Sequence, residues 1–530
     1  MDAGIYQELR DIANKLRILC IRATNASNSG HPTSCCSMAE IMSVLFFKTM
    51  RYRLDAPRDP SSDRLILSKG HAAPILYAAW SEAGLYMLVY QTNIVPRIAK
   101  CFAFTVCSIV KGNIIIGTVH IAGPLTASGL AIYRTYCIIG DGESAEGSIW
   151  EALSFAGHYK LDNLVAIFDI NRLGQSEPTA FQHQMEVYKT RLDSFGYVAL
   201  TVVHCSIVFT TRAMTAPRRS LSTLPTAVLC KTYKGKGIAG IEDSENWHGK
   251  PLGDKAPAAI EALEKQMVSK GPWKLAPQRP EKEDAPPVNI SNIRLSEPPN
   301  YKMGEKVGVA IGCGCRGRTV PFASTFAAFF TRAFDQLRMG AISQANIKCA
   351  GSHAGISIGE DGPSQMALED LAMFRAIPNS VVFYPSDAVS CERACELAAN
   401  YKGIVFIRTS RPNTAVIYPN DEHFEIGKSK VVLKSAEDKA LLIGAGVTLY
   451  EALNAAETLK KQHIHVRVLD IFCLKPFDQK FIISNAKECG GRIVVVEDHY
   501  PEVQKTERRQ KAESLTKGLC SKHSEADRLS

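Results

Sequence analysis

Oxygen-bearing groups follow two apolar runs near the middle of this 530-residue chain. Asp141 lies in a Gly-Asp-Gly turn after the first run, and Asn171 directly follows the second. A carboxylate, an amide oxygen and the backbone carbonyl of Leu173 are hard oxygen ligands, which Mg²⁺ prefers and often shares with the phosphates of a bound molecule. Gly142 leaves room for a phosphate beside the backbone. These residues predict a divalent metal that holds a diphosphate.

The sequence around these residues predicts a β-α-β unit that positions them. Tyr136–Ile139 and Leu164–Ile170 are short apolar runs typical of buried strands, and Glu143–Tyr159 between them has apolar residues at helical spacing. The strands of such a unit are parallel, so Asp141 and Asn171 should face one crevice, where open α/β sheets bind ligands. A Gly-Asp-Gly turn alone is usually structural. The Asn thirty positions after the Asp makes the pattern specific.

Two loop histidines lie upstream of this unit. His31 precedes a helix that we expect to be capped near Thr33 or Ser34, and His71 follows Lys69-Gly70 between a predicted strand and a predicted helix. Imidazoles orient phosphate or hydroxyl groups and move protons near neutral pH. One such histidine often only fills a turn, but two at element ends indicate a site.

Composition narrows the class of protein. A hydrophobic fraction of 46% and a charged fraction of 22% are typical of a globular protein with several domains. The net charge of +9 has no long basic run, which argues against nucleic-acid binding. Sixteen Cys without CxxC pairs predict free thiols in a reducing compartment, so we expect a cytoplasmic protein. The N-terminus predicts an amphipathic helix and no signal peptide, and the apolar stretch Cys101–Val110 is shorter than the roughly 20 residues of a membrane span.

Longer segments resemble the transketolase family of thiamine diphosphate (ThDP) enzymes, and they occur in the family's order. The matching segments are SGHPTSCCSMAEIM, LSKGHAAPILYA, GDGE, DINRLGQS, KTYKGKGI, ENWHGKP, RTVPFASTFAAFFTRAFDQLRM, GSHAGISIGEDGPSQMALEDLAMFR and RTSRP. The resemblance implies an α/β ThDP-binding fold, with two doubly wound parallel-sheet domains and a truncated C-terminal α/β domain.

The resemblance also implies roles for residues of the matched segments. His31 and His248 match histidines that contact the sugar and assist proton transfers. The implied cofactor contacts are Ser34, His71, Gly142, Asn171, Lys234, Phe329 and Gln365. The implied metal ligands are Asp141, Asn171 and Leu173. The implied substrate contacts are His31, His248, His353, Asp361 and Arg411.

Elementary chemistry supports these implied roles unequally. The guanidinium fork of Arg411 is well shaped for a phosphate. Phe329, which matches the aromatic that stacks on the aminopyrimidine ring, lies in an Ala/Phe-rich run at helical spacing, where core packing is the stronger explanation for an aromatic if the resemblance is left aside.

The implied activity moves a two-carbon ketol unit from a ketose phosphate such as xylulose 5-phosphate to an aldose phosphate such as ribose 5-phosphate, in the pentose phosphate pathway. The implied cofactors are ThDP and Mg²⁺, with Ca²⁺ or Mn²⁺ as substitutes. Family members are homodimers with the cofactor between domains of different subunits, and a heterodimer with an intact transketolase is the alternative.

The resemblance also divides the chain into domains. The expected divisions are a ThDP domain at 1–249, a Pro-rich linker at 250–306, a pyrimidine domain at 307–424, a partial C-terminal domain at 425–500 and a polar tail at 501–530.

Four segments depart from the family. Residues 86–133 diverge and replace a Gly-His-Pro loop and a cofactor-contacting turn, and the shorter divergent patch 205–224 is expected at the surface. At the third departure Val307 directly follows Lys306, where the family has further residues that include the catalytic Glu. Counting back from the match places Met303 at the Glu position, and Glu305, two residues away, is assigned no role. The fourth departure is the tail after residue 500. Because the C-terminal domain stops early there, we expect one of its strands to have an exposed edge.

These departures leave alternative functions open. The first alternative to an active enzyme is a catalytically impaired transketolase-like paralogue. The second is a defective gene model that lacks the catalytic Glu segment. Gly444-Ala445-Gly446 is a fragment of the dinucleotide fingerprint without its acidic partner. A dinucleotide-binding oxidoreductase therefore ranks last.

Overall fold

The computed structural model describes residues 3–56, 59, 61–84, 133–175, 177–202, 206–219, 224–280, 307, 310–314 and 319–500. Two compact units divide the chain, Met1–Ser296 and Glu297–Ser530. Most of the divergent segment 86–133, the junction with Met303 and Glu305, and the tail 501–530 lie outside the described residues. No helix in the described ranges is long and apolar enough to cross a membrane.

The first unit contains a five-stranded parallel sheet in the order β1-β2-β3-β5-β4. Its strands are β1 (Arg64–Leu67), β2 (Thr135–Gly140), β3 (Leu164–Ile170), β4 (Val198–Val202) and β5 (Thr226–Lys231). Every residue of β2 and β3 is buried, as central strands of a sheet covered on both faces require. The predicted β-α-β unit is confirmed, with Gly140 paired opposite Asp169.

Helices of the first unit pack on this sheet and on one another. They are Ala3–Ala26, Pro32–Ser37, Ala39–Val44, Ala73–Glu82, Gly147–His158, Met185–Ser194, Ile207–Arg219 and Ala256–Lys265, with a π-helical turn at Leu45–Thr49 and 3₁₀ turns at Gly70–Ala72, Glu143–Ala145 and Gly253–Lys255. The long first helix buries Leu9, Ile12 and Leu16 in the core that also contains residues of β2, β3 and β5. This apolar stripe is the helical period that its sequence predicts.

Two segments differ from what their sequences suggested. The beginning of the expected linker 250–306 forms the helix Ala256–Lys265, whose Leu263 packs with Ile18 and Ile21 of the first helix. The patch 205–224 was expected at the surface, and this expectation was wrong for its helix. Ile207 and Met214 are 1% and 0% exposed and belong to the main core of the unit.

The second unit contains a five-stranded sheet in the order β13-β8-β9-β7-β6. Its strands are β6 (Phe322–Phe326), β7 (Lys348–Ser352), β8 (Val381–Phe383), β9 (Val405–Arg408) and β13 (Cys473–Lys475). The first four pair in parallel, and β13 is antiparallel to β8. Because β13 comes from the segment expected as the C-terminal domain, that segment completes the edge of the preceding sheet.

A third sheet has the order β10-β12-β11-β14. Its strands are β10 (Lys430–Leu433), β11 (Leu441–Gly444), β12 (Arg467–Asp470) and β14 (Ile493–Val495). Strands β11 and β12 are parallel and are joined by the helix Val447–Lys460. Strand β14 forms one edge among the described strands, and Val494 and Val495 are 52% and 39% exposed.

Other helical elements of the second unit flank these two sheets. The α-helices are Phe334–Ile342, Asp370–Ala376, Ala388–Asn400 and Gln479–Glu488, and 3₁₀ segments occur at Ala327–Ala333 and Ile356–Asp361. One core cluster contains residues of both sheets, including Phe406 of β9 and Leu469 of β12. The two sheets of this unit therefore share a hydrophobic core.

Candidate functional site

The carboxyl ends of β2 and β3 bring Asp141 and Asn171 together. One carboxylate oxygen of Asp141 accepts hydrogen bonds from the backbone N–H of Arg172 at 2.7 Å and from the Thr179 hydroxyl at 3.1 Å. The amide oxygen of Asn171 accepts the backbone N–H of Leu173 at 3.2 Å. Both side chains are buried, so their oxygens are held in fixed positions at the sheet edge.

The charge balance at Asp141 suits a cation. Burial and the neighbouring carboxylate of Asp169 raise the pKa of Asp141 to about 6, although Lys69 opposes the shift. No clusters of three or more His, Cys, Asp or Glu side chains that could hold a metal occur among the described residues. The side-chain oxygens of Asp141 and Asn171 and the Leu173 carbonyl are hard donors that include one carboxylate, which is the donor chemistry that Mg²⁺ or Ca²⁺ prefers.

A second buried carboxylate, Asp169 of β3, supports this edge from inside the sheet. It forms an ion pair with Lys69 and accepts hydrogen bonds from the hydroxyls of Ser37, at 2.7 Å, and Thr232. Burial opposes ionisation, but the Lys69 ammonium and these donors hold the pKa of Asp169 below its usual value. We did not predict Asp169 or Lys69 as site residues. The signal was present, because an Asp inside the apolar run Leu164–Ile170 requires a buried partner.

Lys234 lies next to the predicted metal ligands. Its ammonium donates to the backbone carbonyls of Leu173 at 3.2 Å and Gly174 at 2.5 Å, and it contacts Nδ1 of His248 at 3.0 Å. Burial, followed by repulsion from Lys69, lowers the pKa of Lys234 to about 8. Lys234 therefore supplies a buried positive charge beside the Leu173 and Gly174 carbonyls.

Three imidazole rings cluster at the same end of the sheet. The ring centroids are 4.7 Å apart for His31 and His248, and 5.1 Å apart for each of these rings and His71. Burial, with repulsion from Lys69 and the other two rings, lowers the pKa of His71 to about 2, so this ring is neutral near pH 7. The fold thus gathers three histidines that lie far apart in the sequence.

The helix after His31 begins earlier than expected. We expected a cap near Thr33 or Ser34, but the helix is Pro32–Ser37 and His31 occupies the N-cap position without a side-chain cap. Pro at the first helical position needs no N–H partner, which favours this earlier start. The Thr33 hydroxyl instead donates to the carbonyl of Trp247 at 3.0 Å. Ser34 is buried within the helix, and the Trp247 contact ties the helix to the chain that carries His248.

The second unit contains the remaining predicted residues. Arg411 donates to the carbonyl of Ile358 at 2.8 Å and to the carboxylate of Asp361 at 3.3 Å. Two predicted substrate contacts are thus paired with each other.

Three aromatic rings of the second unit, those of Phe326, Phe329 and His353, stack on one another. The rings of Phe326 and His353 stack at 4.0 Å, and Phe326 stacks on Phe329 at 5.4 Å with an interplanar angle of 3°. Phe329 is only half-buried and packs against the core. Its packing is compatible with either core or ligand stacking. Gln365 is half-buried in the turn after Gly362, to whose carbonyl its N–H donates at 3.1 Å.

Models of three transketolase domains match most of the chain. The family model described as transketolase, thiamine diphosphate binding domain, matches residues 9–94 and 121–268, and is interrupted inside the divergent segment. The pyrimidine binding domain model matches 304–416, and the C-terminal domain model matches 429–504.

Relatives cover nearly the whole chain. Transketolase from Rattus norvegicus is 50% identical over 94% of this chain and 90% of its own length. Transketolase-like protein 2 from Homo sapiens is 47% identical over 94% and 90%. The solved transketolase from Campylobacter jejuni has a TM-score of 0.76 at 21% identity, over 95% of this chain and 94% of that one, which shows the shared fold. The chain belongs to the transketolase family, a family of ThDP-dependent transferases.

Proposed function

We propose that this protein transfers a two-carbon ketol group from a ketose phosphate, such as xylulose 5-phosphate, to an aldose phosphate, such as ribose 5-phosphate. It does so with ThDP and Mg²⁺, in the cytoplasm, as a step of the pentose phosphate pathway. The observation that carries the proposal is the grouping of Asp141, Asn171, Lys234 and the His31–His248 ring pair at one edge of the first sheet.

The oxygen donors of this edge are proposed to hold the metal and the diphosphate. Asp141, Asn171 and the Leu173 carbonyl would bind Mg²⁺, with Ca²⁺ or Mn²⁺ as substitutes. The proposed cofactor contacts beside them are Ser34, His71, Gly142 and Lys234. ThDP, when bound, supplies the electron sink that allows a carbon–carbon bond to break and form.

The contact between Lys234 and His248 assigns the proton on the imidazole. An ammonium can only donate, so Nδ1 of a neutral His248 accepts, and the proton is on Nε2. That N–H can donate to a sugar oxygen and exchange a proton with it. His31, whose ring lies 4.7 Å from that of His248, is proposed to contact the same sugar.

The second unit is proposed to bind the rest of the cofactor and substrate. Arg411, His353 and Asp361 would hold the sugar hydroxyls and phosphate, because a planar guanidinium matches the oxygens of a phosphate. Phe329 would stack on the aminopyrimidine ring and Gln365 would contact it. The proposed assembly is a homodimer.

A second candidate is a catalytically impaired transketolase-like protein, acting alone or as a heterodimer with an intact transketolase. One observation favours it: Lys306 is followed directly by Val307, where the resemblance implies a segment with the catalytic Glu. If turnover is absent but appears after the family's segment is inserted between these residues, the sequence is a defective gene model.

The first experiment is calorimetric titration of the full chain with ThDP, with Mg²⁺ and after chelation. We expect binding that requires the metal and that weakens about tenfold or more in Asp141→Asn. Asp254→Asn changes an exposed carboxylate in a 3₁₀ turn and should bind like the wild type. Binding that is independent of both metal and Asp141 would contradict the proposed site. Binding of NAD(P)H in place of ThDP would instead favour an oxidoreductase.

A further inference from the structure

One loop of the second unit carries three of the proposed ligand contacts. We define the substrate loop as residues 353–367, which include His353, Asp361 and Gln365. Its two ends are joined by a bridge between Ala354 and Ala367. The N–H of Gly355 also donates to the Ala367 carbonyl at 3.3 Å. The positions of these three side chains therefore depend on the residues that contact the two ends of the loop.

A fully buried arginine holds the far end of the substrate loop. Arg408, the last residue of β9, donates from Nη2 to the carbonyl of Ala367 at 2.9 Å. Its Nε donates to the carboxylate of Asp370 at 2.9 Å, and its Nη1 donates to that of Asp498 at 2.7 Å. Removing one partner of such a buried charge network leaves a charge uncompensated, so the network favours one arrangement of the loop end.

The carboxylate of Asp498 also lies against the near end of the loop. A Cβ on Gly355 would lie 1.8 Å from Oδ2 of Asp498, so only glycine allows the backbone to approach this closely. The hydroxyl of Tyr384 donates to the same oxygen at 3.1 Å. Two residues later, the N–H of Tyr500 donates to the Leu368 carbonyl at 3.0 Å, just beyond the loop. The segment after β14 therefore contacts both ends of the substrate loop.

We propose that Asp498 is a positioning residue for the substrate loop: it fixes Arg408 and Gly355, and through them the two ends of the segment that carries His353, Asp361 and Gln365. The proposal rests on the proposed function only for what the loop binds. The mechanical role stands on the contacts alone.

The chain offers a matched control for a substitution at Asp498. Asp438 is also a buried carboxylate paired with a buried arginine, Arg467, at 3.2 Å, but it lies beside the third sheet and contacts Ser435. Asp498→Asn and Asp438→Asn remove the same charge from comparable surroundings. Tyr384→Phe is the milder second variant, because it removes only the hydroxyl that contacts Asp498 and Ser410.

Amide hydrogen exchange on the full chain tests the mechanical role without requiring turnover. We expect exchange of the substrate-loop amides to accelerate about tenfold or more in Asp498→Asn, and to a smaller degree in Tyr384→Phe, because local opening sets exchange rates. Asp438→Asn should leave the loop unchanged and accelerate exchange near Ser435. Equal loop protection in Asp498→Asn and Asp438→Asn would overturn the proposal, and if Asp498→Asn does not fold, Tyr384→Phe decides it.

Steady-state kinetics test the consequence for substrate. We expect KM for the ketose phosphate to rise about fivefold or more in Asp498→Asn with a smaller change in kcat, as for loss of ground-state binding. Asp438→Asn should keep the wild-type KM. An unchanged KM in Asp498→Asn would overturn the positioning role. If the wild-type chain shows no turnover, the proposed function fails, and hydrogen exchange alone decides the role of Asp498.

Discussion

At the scale of single residues, the candidate site is organised by buried charges. Asp169 and Lys69 neutralise each other inside the first sheet, while Asp141 at its edge has a raised pKa and accepts hydrogen bonds from Arg172 and Thr179. A carboxylate that burial disfavours gains most from a divalent cation. The first sheet thus presents a carboxylate to its edge and keeps its structural ion pair inside.

Substitution of Arg411 tests the proposed phosphate contact. We expect Arg411→Ala to raise KM for phosphorylated sugars about 10- to 100-fold, equivalent to about 1.4–2.7 kcal/mol, because a charge-assisted bidentate contact is lost. Arg338→Ala is the control, since Arg338 is exposed and pairs with Asp335 in its own helix. KM for an unphosphorylated ketose should change little. An equal loss for both kinds of sugar would contradict a phosphate role.

The depressed pKa of His71 predicts a pH dependence of stability. The folded state keeps this ring neutral down to about pH 2, whereas the unfolded chain binds a proton near pH 6.5. Stability should therefore fall as the pH drops below about 6.5, by up to about 2 kcal/mol at pH 5 from this residue.

Urea unfolding at pH 7 and pH 5 measures this effect. His71→Asn should lose less stability than the wild type between these pH values, and His463→Asn, at an exposed turn, should behave like the wild type. An identical pH dependence in His71→Asn and the wild type would show that His71 does not couple to folding.

At the scale of elements, strand ends decide where the chemistry lies, and this part was predictable. The apolar runs before Asp141 and Asn171 form adjacent parallel strands because their burial on both faces leaves few other arrangements. The helix Ala256–Lys265 was not predicted, because the range 250–306 was interpreted as one Pro-rich linker, whereas Pro257 lies in the first turn of the helix. The burial of Met214 was missed because divergence from a family does not indicate exposure.

The turn from β11 into the helix Val447–Lys460 offers a test at this scale. Gly446 has φ 57°, and a Cβ there would lie 2.1 Å from the ring of Tyr384. Gly490 has φ 69°, and the nearest atom to its Cβ would be 3.9 Å away. Gly490→Ala should cost about 1 kcal/mol for backbone strain alone, and Gly446→Ala about 2–3 kcal/mol more, for the clash together with the strain of ψ −131°.

Urea unfolding of the two glycine variants measures these losses. Both positions have positive φ, but the ψ of −131° at Gly446 is a value that side chains other than glycine rarely adopt, so the difference between the two losses combines this additional strain with the Tyr384 clash. Equal losses of stability would contradict the close approach of Gly446 to Tyr384.

At the scale of the whole molecule, the sequence predicted the set of domains but not how the second unit is assembled. The parallel sheets and the C-terminal α/β sheet followed from strand–helix alternation and from the resemblance to transketolases. That β13 joins the sheet of β8, and that Asp498 pairs with Arg408, could not be predicted, because both pairings join segments far apart in the chain. No periodicity within a segment encodes such a contact.

Ketol transfer by the purified 530-residue chain, with ThDP, Mg²⁺, xylulose 5-phosphate and ribose 5-phosphate, tests the central claim most directly. The account predicts turnover that requires both cofactors and is lost in Asp141→Asn. In the family, the catalytic Glu exchanges a proton with the pyrimidine ring of ThDP. Turnover by this chain would mean that a residue outside the family's Glu segment does so, and Glu305 would be the first residue to test by substitution. A folded chain that binds ThDP and Mg²⁺ without any transfer would contradict the proposed activity and leave a non-catalytic member of the transketolase family.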